Sequence, residues 1–198
     1  PVFDGCRFAT NTTNGVGGGV VNYQSSPIFN NCVFAANNAA ASGGALYGNY
    51  GTVKFNKTVF TGNSAVTGGA LYQNSLNTDV FNCVFNANNS VSGGGAMFIH
   101  NASTGHVVNS SFFKNTASTS GGAVVLSVNN SNIVSENNIF YKNTANGVPT
   151  GAGSDITNFT GGANTWANNI LQQGSSVPAD NGTSIRNNLR WGAPLFGN

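Results

Sequence analysis

Two landmarks recur in phase along the chain, and together they fix the kind of fold it can adopt. Phe8-Ala-Thr-Asn11, Phe34-Ala-Ala-Asn37, Phe60-Thr-Gly-Asn63, Phe85-Asn-Ala-Asn88, Phe112-Phe-Lys-Asn115 and Phe140-Tyr-Lys-Asn143 share an FxxN pattern, with asparagines 26, 26, 25, 27 and 28 residues apart. The first five are each followed by a glycine pair and a small residue, Gly18-Gly19-Val20, Gly43-Gly44-Ala45, Gly68-Gly69-Ala70, Gly94-Gly95-Ala96 and Gly121-Gly122-Ala123. Self-similarity at a fixed period means stacked units that bury a shared core only by stacking.

The content of the repeat selects among solenoids. A leucine-rich repeat needs an LxxLxL core, which is missing, and helical repeats are longer and show 3.6-residue spacing, also missing. Each unit instead offers short alternating runs: in Ile28-Phe29-Asn30-Asn31-Cys32-Val33-Phe34, the residues Ile28, Cys32 and Phe34 are read as the inward set. Gly-Gly-Ala followed by an apolar pair, such as Leu46-Tyr47 or Leu71-Tyr72, reads as a second strand entered through a tight bend. The expected architecture is all-β, a right-handed single-stranded parallel β-helix of about seven coils with a period near 26 residues. Phe8, Phe34, Phe60, Phe85, Phe112 and Phe140 are expected to stack inside the tube, and Asn11, Asn37, Asn63, Asn88, Asn115 and Asn143 to form an amide ladder at one turn.

A third column holds Cys6, Cys32, Thr58, Cys83, Ser110 and Asn138. Cysteine interchanged with Ser and Thr reads as a small buried side chain. The odd number of cysteines and the in-register geometry argue against disulfides, with a Cys6–Cys32 bridge left open as the alternative. After Asn143 the period loosens. Residues 1–160 are therefore taken as regular coils, and 161–198 as irregular final coils and a cap of the same domain. Trp166 and Trp191 are expected to plug the core, and Pro194-Leu195-Phe196 to fold across it. The sequence opens inside a strand pattern with no signal peptide before Pro1, which reads as a mature fragment or an excerpt.

Composition narrows the function. Charged residues make up 6% of the chain, while Gly (27) and Asn (34) are abundant. With 39% hydrophobic and 11% aromatic residues the chain has enough apolar material for a core, so disorder is not expected. Seven basic residues are scattered, without the cluster a nucleic-acid binder needs, and there is no run of 18 apolar residues for membrane insertion.

FxxN combined with GGA and an apolar pair resembles the repeat of polymorphic membrane protein autotransporters and related bacterial β-helix adhesins. The end of the chain, from Asn138-Ile-Phe-Tyr-Lys-Asn143 through Gly153-Ser-Asp155-Ile156 to Pro194-Leu195-Phe196, is similar to the closing coils of choice-of-anchor surface proteins. The resemblance implies a secreted, surface-attached domain that contacts cells, glycans or matrix, and it carries over no catalytic residue.

Parallel β-helices also host polysaccharide lyases and hydrolases, which need clustered carboxylates. The acids here are Asp4, Asp79, Glu136, Asp155 and Asp180. Asp4 and Glu136 share a column but lie five coils apart, and Asp79 is read as solitary near a turn. No enzyme activity, cofactor or metal site is expected. His100 and His106 are read as exposed turn residues, with a transition-metal pair as the less favoured alternative. Three surface functions remain. An adhesin or structural stalk would bind glycan or cell surface laterally through Tyr23, Tyr47, Tyr50 and Tyr72. A self-assembling filament would stack end to end through the first coil. An ice-binding solenoid would use the small polar segments 38–42, 64–67, 89–92 and 116–120, although these lack a repeated TxT pattern. Asn-x-Ser/Thr sequons at Asn11, Asn56, Asn101, Asn158 and Asn181 are read as incidental.

Overall fold

The structure, a computed structural model, describes residues 1–127, 132–147, 155–158, 163–172, 184–186 and 188–191. The predicted Pro194-Leu195-Phe196 lid, Asp180, Asn181 and Gly151 to Ser154 lie outside the described residues, as do the side chains of Asn158 and Trp191. The chain is an all-β parallel solenoid, with no helix among the described residues. Each coil visits four faces in turn. The first face holds Val2–Asp4, Ile28–Asn30, the second half of Leu46–Asn56, Asn77–Phe81, Thr104–Val108, Asn132–Glu136, Thr165–Ala167 and Ser184–Arg186. The second is a sheet of 8 strands from Arg7–Ala9 to Leu189–Trp191. The third has 6, from Thr12–Thr13 to Thr144–Ala145, and is the short polar side. The fourth face carries Val20–Ser25, the first half of Leu46–Asn56, Leu71–Asn74, Met97–His100, Val124–Ser127 and Ile156–Asn158. Every pairing is parallel and between successive coils, so the backbone hydrogen bonds run along the axis.

Five turns of about 26 residues separate Asn11 from Asn143, counted by the ladder spacings of 26, 26, 25, 27 and 28. The expectation of about seven coils is corrected to about five regular turns. Past Asn143 the described strands Thr165–Ala167, Ile170–Gln172, Ser184–Arg186 and Leu189–Trp191 continue only the first and second faces.

Single residues with left-handed backbone make the corners. Between the first and second faces they are Gly5 (φ 62), Asn31 (φ 52), Lys57 (φ 51), Asn82 (φ 56), Asn109 (φ 52) and their successors. Between the second and third they are Thr10, Ala36, Gly62, Ala87, Lys114 and Lys142. A non-glycine residue in this conformation costs about 1–2 kcal/mol, and here the ladders on both sides hold it there. Each such corner also resets the in-out alternation. That corrects the reading of Ile28 as inward: Asn31 intervenes between the two strands, so Phe29 is buried and Ile28 faces out, in register with Lys54. At the bend before the fourth face the reason for glycine is closeness. A Cβ on Gly69 would lie 2.2 Å from the Gly95 carbonyl oxygen and 2.5 Å from that of Asn89, because the third face packs backbone to backbone against this segment.

The core joins the buried aliphatic residues of the fourth face, such as Leu46, Leu71 and Met97, to two aromatic stacks at right angles. Phe8, Phe34, Phe60, Phe85, Phe112 and Phe140 stack with centroids 4.7, 5.1, 4.6, 4.7 and 4.7 Å apart. Phe3, Phe29 and Phe55 form a second stack, 4.9 and 5.2 Å apart, whose rings meet the first edge-on at 73–82°. Both arrangements suit the ring quadrupole and add to the apolar area removed from water. Val80 and Val107 continue the second stack, and Trp166 occupies the same column near the C-terminal end, buried as expected.

The asparagine ladder forms as expected. Each Nδ2 donates to the Oδ1 of the next rung, at 2.9–3.0 Å from Asn11 through Asn143, and each buried Nδ2 also donates to the carbonyl of the inward phenylalanine one coil earlier. Each Oδ1 from Asn37 to Asn143 also accepts the backbone N–H of the preceding rung. The ladder ends on a different residue: Asn143 donates to the carboxylate of buried Asp155 at 2.9 Å. The cysteine column is likewise inward, with Cys32, Thr58, Cys83, Ser110 and Asn138 buried and Cys6 half-buried, and all three thiols are free.

Candidate binding face

The fourth face gathers the residues singled out from sequence. Its two outward columns are Val21, Tyr47, Tyr72 and Phe98, and, two residues on, Tyr23, Asn49, Asn74 and His100. The corner that ends the face carries Gln24, Tyr50, Ser75 and Asn101, all left-handed. Repetition at the coil pitch forces like residues into stacks. Tyr47 and Tyr72 lie 5.3 Å apart at 6°, and Tyr72 and Phe98 lie 5.5 Å apart at 5°. Their ring faces cover one another, so what they offer a ligand is ring edges and phenol hydroxyls. Tyr23 and Tyr50, 59% and 47% exposed, meet edge to face at 6.5 Å and keep open ring surface. None of the four tyrosines belongs to the core.

A second, exterior amide ladder runs beside these rings. Asn74 donates to Asn49 at 3.0 Å, and Asn101 donates to Asn74 at 2.5 Å. His100 tilts against Tyr72 and Phe98 at 6.1 and 6.2 Å. Partial burial and the neighbouring Tyr47 phenol raise the Tyr72 hydroxyl above its ordinary pKa, so it remains a hydrogen-bond donor through the neutral range. The interior rows play a different part: Asn37, Asn63, Asn88, Asn115 and Asn143 are inaccessible to solvent, so the interior ladder holds the fold and cannot be a ligand row.

The first face corrects two readings. No acid stands beside Asp79 in the adjoining coils, as expected, but it does not lie near a turn. It sits within the strand Asn77–Phe81, between Lys54 of the preceding coil (Nζ–Oδ2 3.4 Å) and His106 of the following one (Nδ1–Oδ1 2.9 Å). Nor are His100 and His106 turn residues: they flank the corner at Asn101, His100 ending the strand Met97–His100 on the fourth face and His106 standing within Thr104–Val108 on the first. Lys54 precedes Asp79 by 25 residues and His106 follows by 27, the local repeat spacing, but no shared residue type marks the column in the sequence. Asp4 and Glu136 share a column five coils apart, as expected. Among the described residues, no three of His, Cys, Asp and Glu converge on a point that could hold a metal.

On the third face the outward column is Thr12, Asn38, Ser64, Asn89, Thr116 and Thr144. Two of its hydroxyls are spent within the column, Ser64 on Asn38 at 2.8 Å and Thr116 on Asn89 at 2.6 Å.

A further ladder was missed in the sequence. From the sixth coil the cysteine column turns to amides: Asn138 Nδ2 donates to Asn169 Oδ1 at 3.1 Å, and the Asn169 backbone N–H donates to Asn188 Oδ1 at 2.8 Å. The signal was the paired asparagine before an aliphatic residue in Asn137-Asn138-Ile139, Asn168-Asn169-Ile170 and Asn187-Asn188-Leu189.

No helix among the described residues is long and apolar enough to cross a membrane. Compared with protein-family models, curated proteins and solved structures, the chain matches none.

Proposed function

We propose that this chain is an extracellular surface solenoid, an adhesin or stalk, that binds a saccharide laterally on its fourth face without catalysing a reaction. The observation that carries this reading is the gathering of Tyr23, Tyr47, Tyr50 and Tyr72 on one exterior face beside the Asn49–Asn74–Asn101 ladder. Open aromatic surface for sugar C–H faces, with fixed amides and hydroxyls for sugar hydroxyls, is the chemistry of saccharide recognition. Scattered carboxylates and the absence of a convergent cluster among the described residues support the non-catalytic part. The repeat's resemblance to autotransporter passengers and choice-of-anchor proteins supports the surface location. A glycan array probed with the purified chain tests the reading. Binding should be lost in a Tyr23→Ala/Tyr50→Ala double variant, the two rings with open faces. Binding unchanged in that variant, or no glycan bound at all, would overturn it.

End-to-end assembly is the second reading, since any parallel coil without a neighbour stacked on it offers unpaired backbone groups to another chain. The ladder weighs against simple head-to-tail stacking of copies. Asn11 donates forward, so a coil stacked above it would have to supply an amide N–H, and Asp155 closes the other end of the ladder with a carboxylate. Fibres in electron micrographs of concentrated protein would establish assembly.

A further inference from the structure

Two of the seven basic residues stand in adjacent coils of a single column. Lys114 and Lys142 both occupy left-handed corners between the second and third faces, and the Lys114 backbone N–H donates to the Tyr141 carbonyl at 3.1 Å. Each ammonium is held over the ring before it, Lys114 Nζ 5.0 Å from the Phe113 centroid and Lys142 Nζ 5.3 Å from that of Tyr141. Those rings stack in turn, 5.9 Å apart at 10°. Neither lysine has an ion-pair partner among the described residues, whose ion pairs both go to Asp79. The adjoining second face is apolar and open: Ile139 is 46% and Tyr141 40% exposed, beside a depression of about 330 Å³ lined by Ile139, Phe140, Tyr141 and Ile170.

We infer that this corner is a binding site for an acidic saccharide. Its carboxylates or sulfates meet the two ammoniums one coil apart, and a sugar ring lies on the Ile139 floor beside the edge of Tyr141. Two like charges in adjacent coils, without a carboxylate to neutralise them among the described residues, favour a ligand with anions repeated at short intervals. A membrane surface fits less well. Docking there needs apolar side chains that reach well below the headgroups, and the apolar column of the second face is made of short β-branched residues, Val33 and Val59 half-buried and Val84 and Ile139 39% and 46% exposed. The site lies apart from the tyrosine face and does not depend on it.

Isothermal titration of the whole chain with hexagalacturonate, a heparin-derived hexasaccharide and neutral maltohexaose tests the inference, at low and high sodium chloride. At least one acidic probe should bind, more weakly in high salt, while maltohexaose does not bind at this corner. Lys114→Gln and Lys142→Gln should each weaken acidic binding roughly tenfold or more, the least expected when a hydrogen bond to a charged group is lost. Far-UV circular dichroism of both variants should match the parent. Tyr23→Ala/Tyr50→Ala should leave acidic binding unchanged, which separates failure of this site from failure of the tyrosine face. Neither acidic probe binding, salt-independent binding, lysine variants equal to the parent, or retention on phosphatidylglycerol vesicles in place of the oligosaccharides would overturn it.

Discussion

Replacing Asn63 with alanine should cost this fold far more than the same change at Asn11. The Asn63 side chain makes four buried hydrogen bonds. Its Oδ1 accepts from the backbone N–H and the Nδ2 of Asn37, and its Nδ2 donates to the Phe34 carbonyl and to Asn88 Oδ1. Two of these partners retain another bond, Asn37 Nδ2 to the Phe8 carbonyl and Asn88 Oδ1 from the Asn63 N–H. The Asn37 N–H is left buried and unpaired, at about 1–3 kcal/mol, and the net loss of the other bonds adds about 1 kcal/mol each. The expected total is about 4–6 kcal/mol. Exposed Asn11 donates only one side-chain bond, to Asn37, and Asn11→Ala should cost about 1 kcal/mol or less. Asn63→Asp sharpens the test. The carboxylate accepts but cannot donate, so it would face two acceptors, its folded-state pKa would rise, and stability would recover on acidification and fall as pH rises through that value. Urea unfolding followed by circular dichroism measures all three variants. Equal costs at positions 11 and 63, or an Asn63→Asp variant no more stable at pH 4 than at pH 7, would refute the reasoning.

Gly69→Ala should prevent normal coil closure, since its Cβ would meet two carbonyl oxygens at 2.2 and 2.5 Å. Gly62→Ala, with nothing within 4 Å and alanines 36 and 87 in the same column, should lower stability by only about 1 kcal/mol; thermal melts showing equal losses would contradict this. Gln73 is buried with neither amide atom hydrogen-bonded, so Gln73→Met should raise Tm, by about 1 kcal/mol of stability, and a lowered Tm would show the amide to be doing structural work. Burial pushes the Cys83 thiol from 9.0 up to about 12 and also raises Cys32 and Tyr72. Ionisation then favours the unfolded chain, so stability should be complete below about pH 9 and fall toward pH 12. Cys83→Ser, matching Ser110 in the same column, should flatten that fall, and an unchanged alkaline profile would count against it.

The sequence revealed columns wherever one residue type held its position over many coils. Six phenylalanines and six asparagines at a near-constant interval announce their stacks, because a solenoid places equal phases side by side. Legibility failed where the chemistry of a column changes along the rod. Phe3, Phe29 and Phe55 give way to Val80, Val107 and Ser135, which hid the second aromatic stack. The Lys54–Asp79–His106 column was hidden because its members attract by difference and share no residue type. Ile28 was misplaced because a period of two was carried through Asn31, a corner whose left-handed backbone is not marked by glycine. The tyrosines were recognised as a group, but their shared face follows only from strand register.

The interior ladder also gives the rod an electrical sense. All its amides point the same way, carbonyl toward the first coil and N–H toward the last, so their dipoles add as peptide dipoles do in a helix. The positive pole falls at Asn143, where the Asp155 carboxylate meets it. Any coil removed from the middle would bring one donor back to an identical acceptor, with the phenylalanine stack resealing in the same step. Length is thus a free variable of this architecture: the rod can change by whole coils of about 4.8 Å while both poles, and whatever they contact, stay as they are.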